Sequence, residues 1–188
     1  MKKIVVLILV FNAIIFGQEL QFLKEDITFQ ISEDVLRVDG YYWFSNASLT
    51  ASDRLIFFPF GSSELRSSVY SIGVWNISLL QSSIHPQKYR DGISFVLSIP
   101  ALDTTVIRIS YRQRIIGDSV TYILRSTIRW GRALESAEYK LRVDPHRRMT
   151  AFSITPDRMY TVGEEVIYFW KRVDFMPHSD LTFYFRKQ

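Results

Sequence analysis

Apolar side chains recur at every second position along most of this chain, and few folds accept that period. Ile27, Phe29 and Ile31 alternate with Thr28 and Gln30, while Ile93, Phe95, Leu97 and Ile99 alternate with Ser94, Val96 and Ser98. Over 137–144 the pattern is unbroken, with Ala137, Tyr139, Leu141 and Val143 on one side and Glu138, Lys140, Arg142 and Asp144 on the other. A period of two sends alternate side chains to opposite faces of a strand, so these segments are half-buried strands. Further candidates run through 35–44, 54–60, 69–80, 105–116, 119–130, 151–155, 159–162, 166–173 and 181–186. Turn chemistry separates them, including His85-Pro86, Asp91-Gly92, Gly117-Asp118, Asp144-Pro145 and Pro156-Asp157. No window carries a sustained 3.6-residue apolar stripe with caps. About ten short strands at this spacing predict an all-β protein, an antiparallel β-sandwich of immunoglobulin-like or jelly-roll-like kind.

The first residues, MKKIVVLILVFNAIIFGQ, follow a different rule. Lys2 and Lys3 precede an apolar run from Ile4 to Phe16, and Gly17 offers a small residue for cleavage. Thirteen residues of helix span only about 20 Å, short of a ~30 Å hydrocarbon core. Residues 1–17 are therefore expected to be a cleaved signal peptide, and 18–188 a single β-sandwich domain, periplasmic or secreted. The chain contains no cysteine, so it has neither a lipid-anchoring thiol nor disulfides. An exported protein without disulfides fits a bacterial envelope.

Charge narrows the partners. Of 23 Lys and Arg residues two lie in the leader, leaving 21 against 19 acidic residues. So small an excess gives no reason to expect nucleic acid. If Gly117-Asp118 is a two-residue hairpin turn, Ile107, Ile109, Tyr111 and Ile115 share one face with Val120 and Leu124. Arg108, Arg112, Arg114, Arg125 and Arg129 then collect as a basic strip on the other face. Such a strip is the candidate site for an anionic membrane surface, a glycan or an acidic envelope protein.

Catalytic motifs are weak. Gly117-Asp118-Ser119 resembles the start of the GDS-type esterases, but those enzymes end in an Asp-x-x-His pair. This chain offers only Asp174-Phe-Met-Pro-His178 and Asp144-Pro-His146, neither at that spacing. His85, His146 and His178 stand far apart without metal-ligand spacing, so no metal or other cofactor is expected. Asn46-Ala-Ser48 and Asn76-Ile-Ser78 are glycosylation sequons. The aromatic-rich YFWKRVDFMPHSDLTFYF at 168–185 is expected to form a final hairpin pinned by core rings.

Two segments, YYWFSNASLTASDRLIFFPF at 41–60 and 168–185, resemble exported bacterial β-sandwich domains of unknown function. Those domains pair an early F-x-N … F-P strand pair with a late aromatic strand and an F-x-P-x-x-D turn. The matching positions are Phe44, Asn46, Phe58, Pro59, Trp170, Phe175, Pro177 and Asp180. The resemblance implies an envelope location and a sandwich, and brings no catalytic residue. The expectation is a non-catalytic binding or structural module. The alternatives are a small outer-membrane β-barrel, which the same alternation would suit, and a GDS-type esterase.

Overall fold

The computed structural model describes residues 20–61, 69–144 and 147–186, so the leader and His146 lie outside the described residues. The described chain is a β-sandwich of fourteen strands and one short 3₁₀ helix. One layer is a single sheet of eight strands. In spatial order these are β12 (Arg158–Val162), β13 (Glu165–Phe175), β10 (Leu134–Val143), β1 (Leu20–Ser32), β2 (Val35–Asn46), β8 (Asp103–Arg114), β4 (Val69–Asn76) and β5 (Ser82–Ile84). The facing layer comes in two pieces: β11 (Met149–Phe152), β14 (Leu181–Phe185) and β9 (Ser119–Tyr122) in one, β3 (Ser52–Pro59), β7 (Gly92–Ile99) and β6 (Gln87–Lys88) in the other. The large sheet ends at β12 and β5 without closing on itself, so the described strands form no barrel. Pairing is antiparallel except between β1 and β10, which run parallel.

Alternation decides which side chains enter the core. Ile27, Phe29 and Ile31 of β1, Ile107, Ile109 and Tyr111 of β8, and Tyr139, Leu141 and Val143 of β10 are all buried. Aromatic rings from the two layers meet between them. Phe29 meets Phe183 edge-on at 5.1 Å, and Tyr111 meets Phe58 at 6.1 Å. Asn46 locks the turn after β2, its amide donating to the Thr50, Ile99 and Pro100 carbonyls while its Oδ1 accepts the Ser48 N–H. The two sequon asparagines are only 2% and 5% exposed, so both are structural.

Three local expectations are corrected. Gly117-Asp118 is not a hairpin turn: β8 already pairs with β2 on one edge and β4 on the other, leaving no edge for 119–122. Gly117, at φ 86°, lies where the chain leaves the large sheet, and Ser119–Tyr122 joins β14 in the opposite layer. Residues 125–130 are not strand but the 3₁₀ helix Arg125–Trp130, closed by Gly131 at φ 69°. The Asp180 carboxylate accepts the Leu124 and Arg125 N–H groups at its start. The 168–185 segment is no hairpin either, because β13 and β14 belong to different sheets. Its rings instead face each other through the core, with Trp170 1% exposed and 5.9 Å from Phe183.

Candidate functional site: a cleft between two half-sheets

The break in the second layer leaves the outer edges of β3 and β9 facing each other. At one end they touch. A Cβ on Gly61 would fall 2.0 Å from the Thr121 carbonyl oxygen, so only glycine permits this approach. Away from that contact the edges diverge into a cavity of about 430 Å³. The large sheet forms its floor through Phe22, Glu25, Tyr42 and Ile109, and β3 forms one wall. Tyr122 and the 3₁₀ helix form the other wall.

The β3 wall presents backbone as well as side chains. Phe60 N–H bonds the Asp91 carbonyl, which fixes the alternation of the β3–β7 ladder. Arg54, Ile56 and Phe58 accordingly spend their backbone groups on β7, whereas those of Leu55 and Phe57 point to the cleft. The strand's own sequence therefore leaves a row of donors and acceptors along the opening. Continuing the β9–β14 alternation from the Phe185–Asp118 bond likewise turns the Thr121 carbonyl outward, toward Gly61.

The floor carries a buried acid. Glu25 sits in the inward phase of β1 with Ile27, Phe29 and Ile31, and is 3% exposed. A bulge between Phe22 and Lys24 lets Phe22 face inward too. Tyr139 donates its hydroxyl to Glu25 Oε1, the one hydrogen bond the carboxyl makes among the described residues. Burial pushes the Glu25 carboxyl up to about 7, against a smaller lowering by the Tyr139 hydrogen bond. Around it, Tyr42 and Tyr122 share a hydroxyl hydrogen bond of 2.9 Å. Burial drives the Tyr42, Tyr122 and Tyr139 hydroxyls well above the ordinary phenol range, so all three stay neutral. Tyr42 lies back over Gly40, where a Cβ would come within 2.5 Å of the Tyr42 hydroxyl.

The mouth is basic. Arg54, Arg125 and Arg129 line it with Asp180. Arg125 is committed to Asp180, with Nη2 2.9 Å from Oδ2. Burial pushes the Asp180 carboxyl up, but the hydrogen bonds from Arg125 and the helix-start N–H groups outweigh it and hold it below its usual value. Arg54 and Arg129 form no ion pair among the described residues, and Arg54 stands over Trp130 at 6.0 Å.

The five arginines of the expected strip therefore divide. Arg108, Arg112 and Arg114 lie on the outer face of the large sheet, where Asp39 holds Arg108 in a two-point contact of 2.7 and 2.6 Å. Arg125 and Arg129 are on the 3₁₀ helix at the cleft. Sequence reading missed Arg37, which pairs across strands with Arg112 on that outer face. It also missed Glu25, although an acid in the apolar phase of 25–31 was a legible signal. Ser119 and His178 are not brought together: Ser119 faces Tyr184, while His178 precedes Leu181, which faces Tyr122 at the far end of β9.

No protein-family model matches the chain, and no curated protein does. Among solved structures the chain is similar to a protein from Legionella pneumophila, provisionally described as nutrient-binding, at 18% identity and a TM-score of 0.68. That match covers 88% of this chain and 66% of the other. An M1 zinc metallopeptidase from Deinococcus radiodurans is similar at 11% identity and a TM-score of 0.54, over 88% of this chain and 42% of that one. The chain thus spans about two thirds of the first protein and less than half of the second. It contains no His-Glu-x-x-His run of the kind that binds zinc in such peptidases. At these identities the likeness establishes the β-sandwich fold and nothing about activity.

Proposed function

We propose that the protein is an exported, non-catalytic binding module of the bacterial envelope that holds a small molecule in the cleft between its two half-sheets. The observation that carries this is Glu25, a nearly fully buried carboxyl opening onto a cavity of about 430 Å³ and satisfied by a single hydrogen bond among the described residues. A buried acid with so few partners costs stability, and a well-packed apolar residue would not. A ligand that supplies the missing partner accounts for both the acid and the space. The cavity volume lies within the ordinary range for small-molecule sites, about 300–1,000 Å³. The Legionella neighbour's description agrees with a binding role.

The test is retention from a pool. Wild-type protein equilibrated with a small-molecule extract of its host, then examined by native mass spectrometry, is expected to retain a species that Ile109→Trp loses. Ile109 lines the cleft floor, so the larger ring fills the space. A folded Ile109→Trp protein that retains the same molecules as wild type overturns the proposal. Export is tested separately: protein recovered from the envelope or medium should be shorter by residues 1–17, and a full-length cytoplasmic product would contradict it.

A second, independent contact is favoured by one observation on the outer face. Arg37 and Arg112 oppose each other across β2 and β8 with Arg114 nearby, and none of the three forms an ion pair among the described residues. Like charges in register repel, and an anionic surface or acidic partner relieves that repulsion. Sedimentation with anionic liposomes should fall for Arg37→Glu/Arg112→Glu, and unchanged sedimentation would dispose of the contact.

A further inference from the structure

We infer that the cleft's ligand is a short peptide of about three residues, with a free amino terminus against Glu25, its backbone along the open edge of β3 and its carboxylate at Arg54 and Arg129. The inference presupposes that the cleft binds a small molecule and names its chemical class.

Three features of the cleft, on β1, β3 and the 3₁₀ helix, converge on that class. Glu25 offers a carboxylate oxygen without a partner among the described residues at the floor, and an ammonium group is the charge that matches it. Leu55 and Phe57 offer N–H and C=O groups two residues apart on one edge, the repeat an added strand reads. Arg54 and Arg129, without an ion pair among the described residues, bring positive charge to the mouth, where a terminal carboxylate would end.

The spacing agrees. Trp130, which carries Arg54 over its ring, packs on Phe22 and Phe44 at 5.9 and 5.3 Å. Phe22 precedes Glu25 by three residues on β1, and Phe44 follows Tyr42, the cross-strand partner of Glu25, by two on β2. At ~3.3 Å per residue the acid and the arginine mouth are roughly 7–10 Å apart along the strands, the length of a two- to three-residue extended peptide. The intervening walls, Ile56, Phe58 and Tyr122 among them, are apolar and aromatic, so small apolar side chains fit best. A fatty acid would satisfy the arginines and the walls but would leave Glu25 and the β3 edge without partners.

Isothermal titration calorimetry of the full chain tests this with an equimolar pool of tripeptides built from Ala, Leu and Phe. The same pool N-acetylated, the same pool C-amidated, and decanoate serve as comparisons. The free pool should bind, acetylation should weaken binding by at least about tenfold, and amidation should weaken it several-fold. Glu25→Gln should remove the penalty for acetylation, and Arg54→Ala the penalty for amidation, with near-ultraviolet circular dichroism confirming that each variant is folded. At pH 6, titration in buffers of different ionisation enthalpy should show release of about one proton per peptide, because the ammonium displaces the proton on Glu25. Equal binding of free and acetylated pools overturns the peptide assignment. Binding of decanoate but no peptide overturns it too, while leaving the small-molecule cleft intact. Binding of neither peptide nor decanoate, together with no species lost on Ile109→Trp, overturns both.

Discussion

Glu25→Gln has an effect whose sign follows from the burial of the carboxyl. The folded-state Glu25 carboxyl lies at about 7 against an ordinary 4.5, chiefly because burial disfavours its charged form. Between those pH values the unfolded chain releases a proton that the folded chain keeps. Wild-type stability therefore falls as pH rises from about 4.5 to about 7, and the loss is complete above that window. A gap of this width corresponds to roughly 3 kcal/mol, and the group is fully buried, so solvent screening does not shrink it. Glutamine keeps an oxygen for the Tyr139 hydroxyl and cannot ionise. The variant should match wild type near pH 4.5 and exceed it by about 3 kcal/mol at pH 8, some 6–12 °C in melting temperature for a chain this long. Urea unfolding of both proteins from pH 4.5 to 8 measures the difference, in which all other titrating groups cancel. Parallel curves would refute the burial of Glu25 and with it the account of the cleft floor.

Other expectations rest on packing and hydrogen bonds. Asn46→Ala removes the amide bonded to the Ile99, Pro100 and Thr50 carbonyls and the oxygen that accepts the Ser48 N–H, and should cost about 2–3 kcal/mol in urea unfolding, while intact-mass measurement should find wild-type Asn46 unmodified. Trp170→Ala opens a cavity between β13 and β14 and removes the indole donor to the Ile154 carbonyl; a loss of about 3–5 kcal/mol is expected in the same assay. Gly61→Ala drives a methyl into the Thr121 carbonyl, so it should destabilise by about 1–3 kcal/mol and shift the amide resonances of Thr121 and its neighbours on β9.

Which face each strand buries was legible, because the period of two is a local property of the sequence. Phe29, Tyr139 and Leu97 are buried where the alternation puts them. Partners were not legible in the same way. Val120 and Tyr122 carry the same alternation whether 119–122 folds back on β8 or crosses to the other layer, since the core side of both layers is apolar. What decides is that β2 and β4 occupy both edges of β8, a property of the whole sheet. The same limit made a hairpin of 168–185, whose rings pack through the core. The 3₁₀ helix left only faint marks, a Gly at 131 and a capping Asp 55 residues beyond Arg125. The cleft was hidden for a related reason. A gap between two sheets has no sequence signature, and Leu55 and Phe57 are as apolar as their buried neighbours Ile56 and Phe58. They are exposed side chains on a strand whose free edge faces the opening, Leu55 at 66%.

That open edge is the feature on which the binding account depends, and amide hydrogen exchange of the free protein reads it directly. Leu55 and Phe57 should exchange fast, their N–H groups facing the cleft, while Ile56 and Phe58 between and beside them are protected by β7. Equal, strong protection at all four amides would mean that β3 is paired on both sides and that no cleft separates the half-sheets.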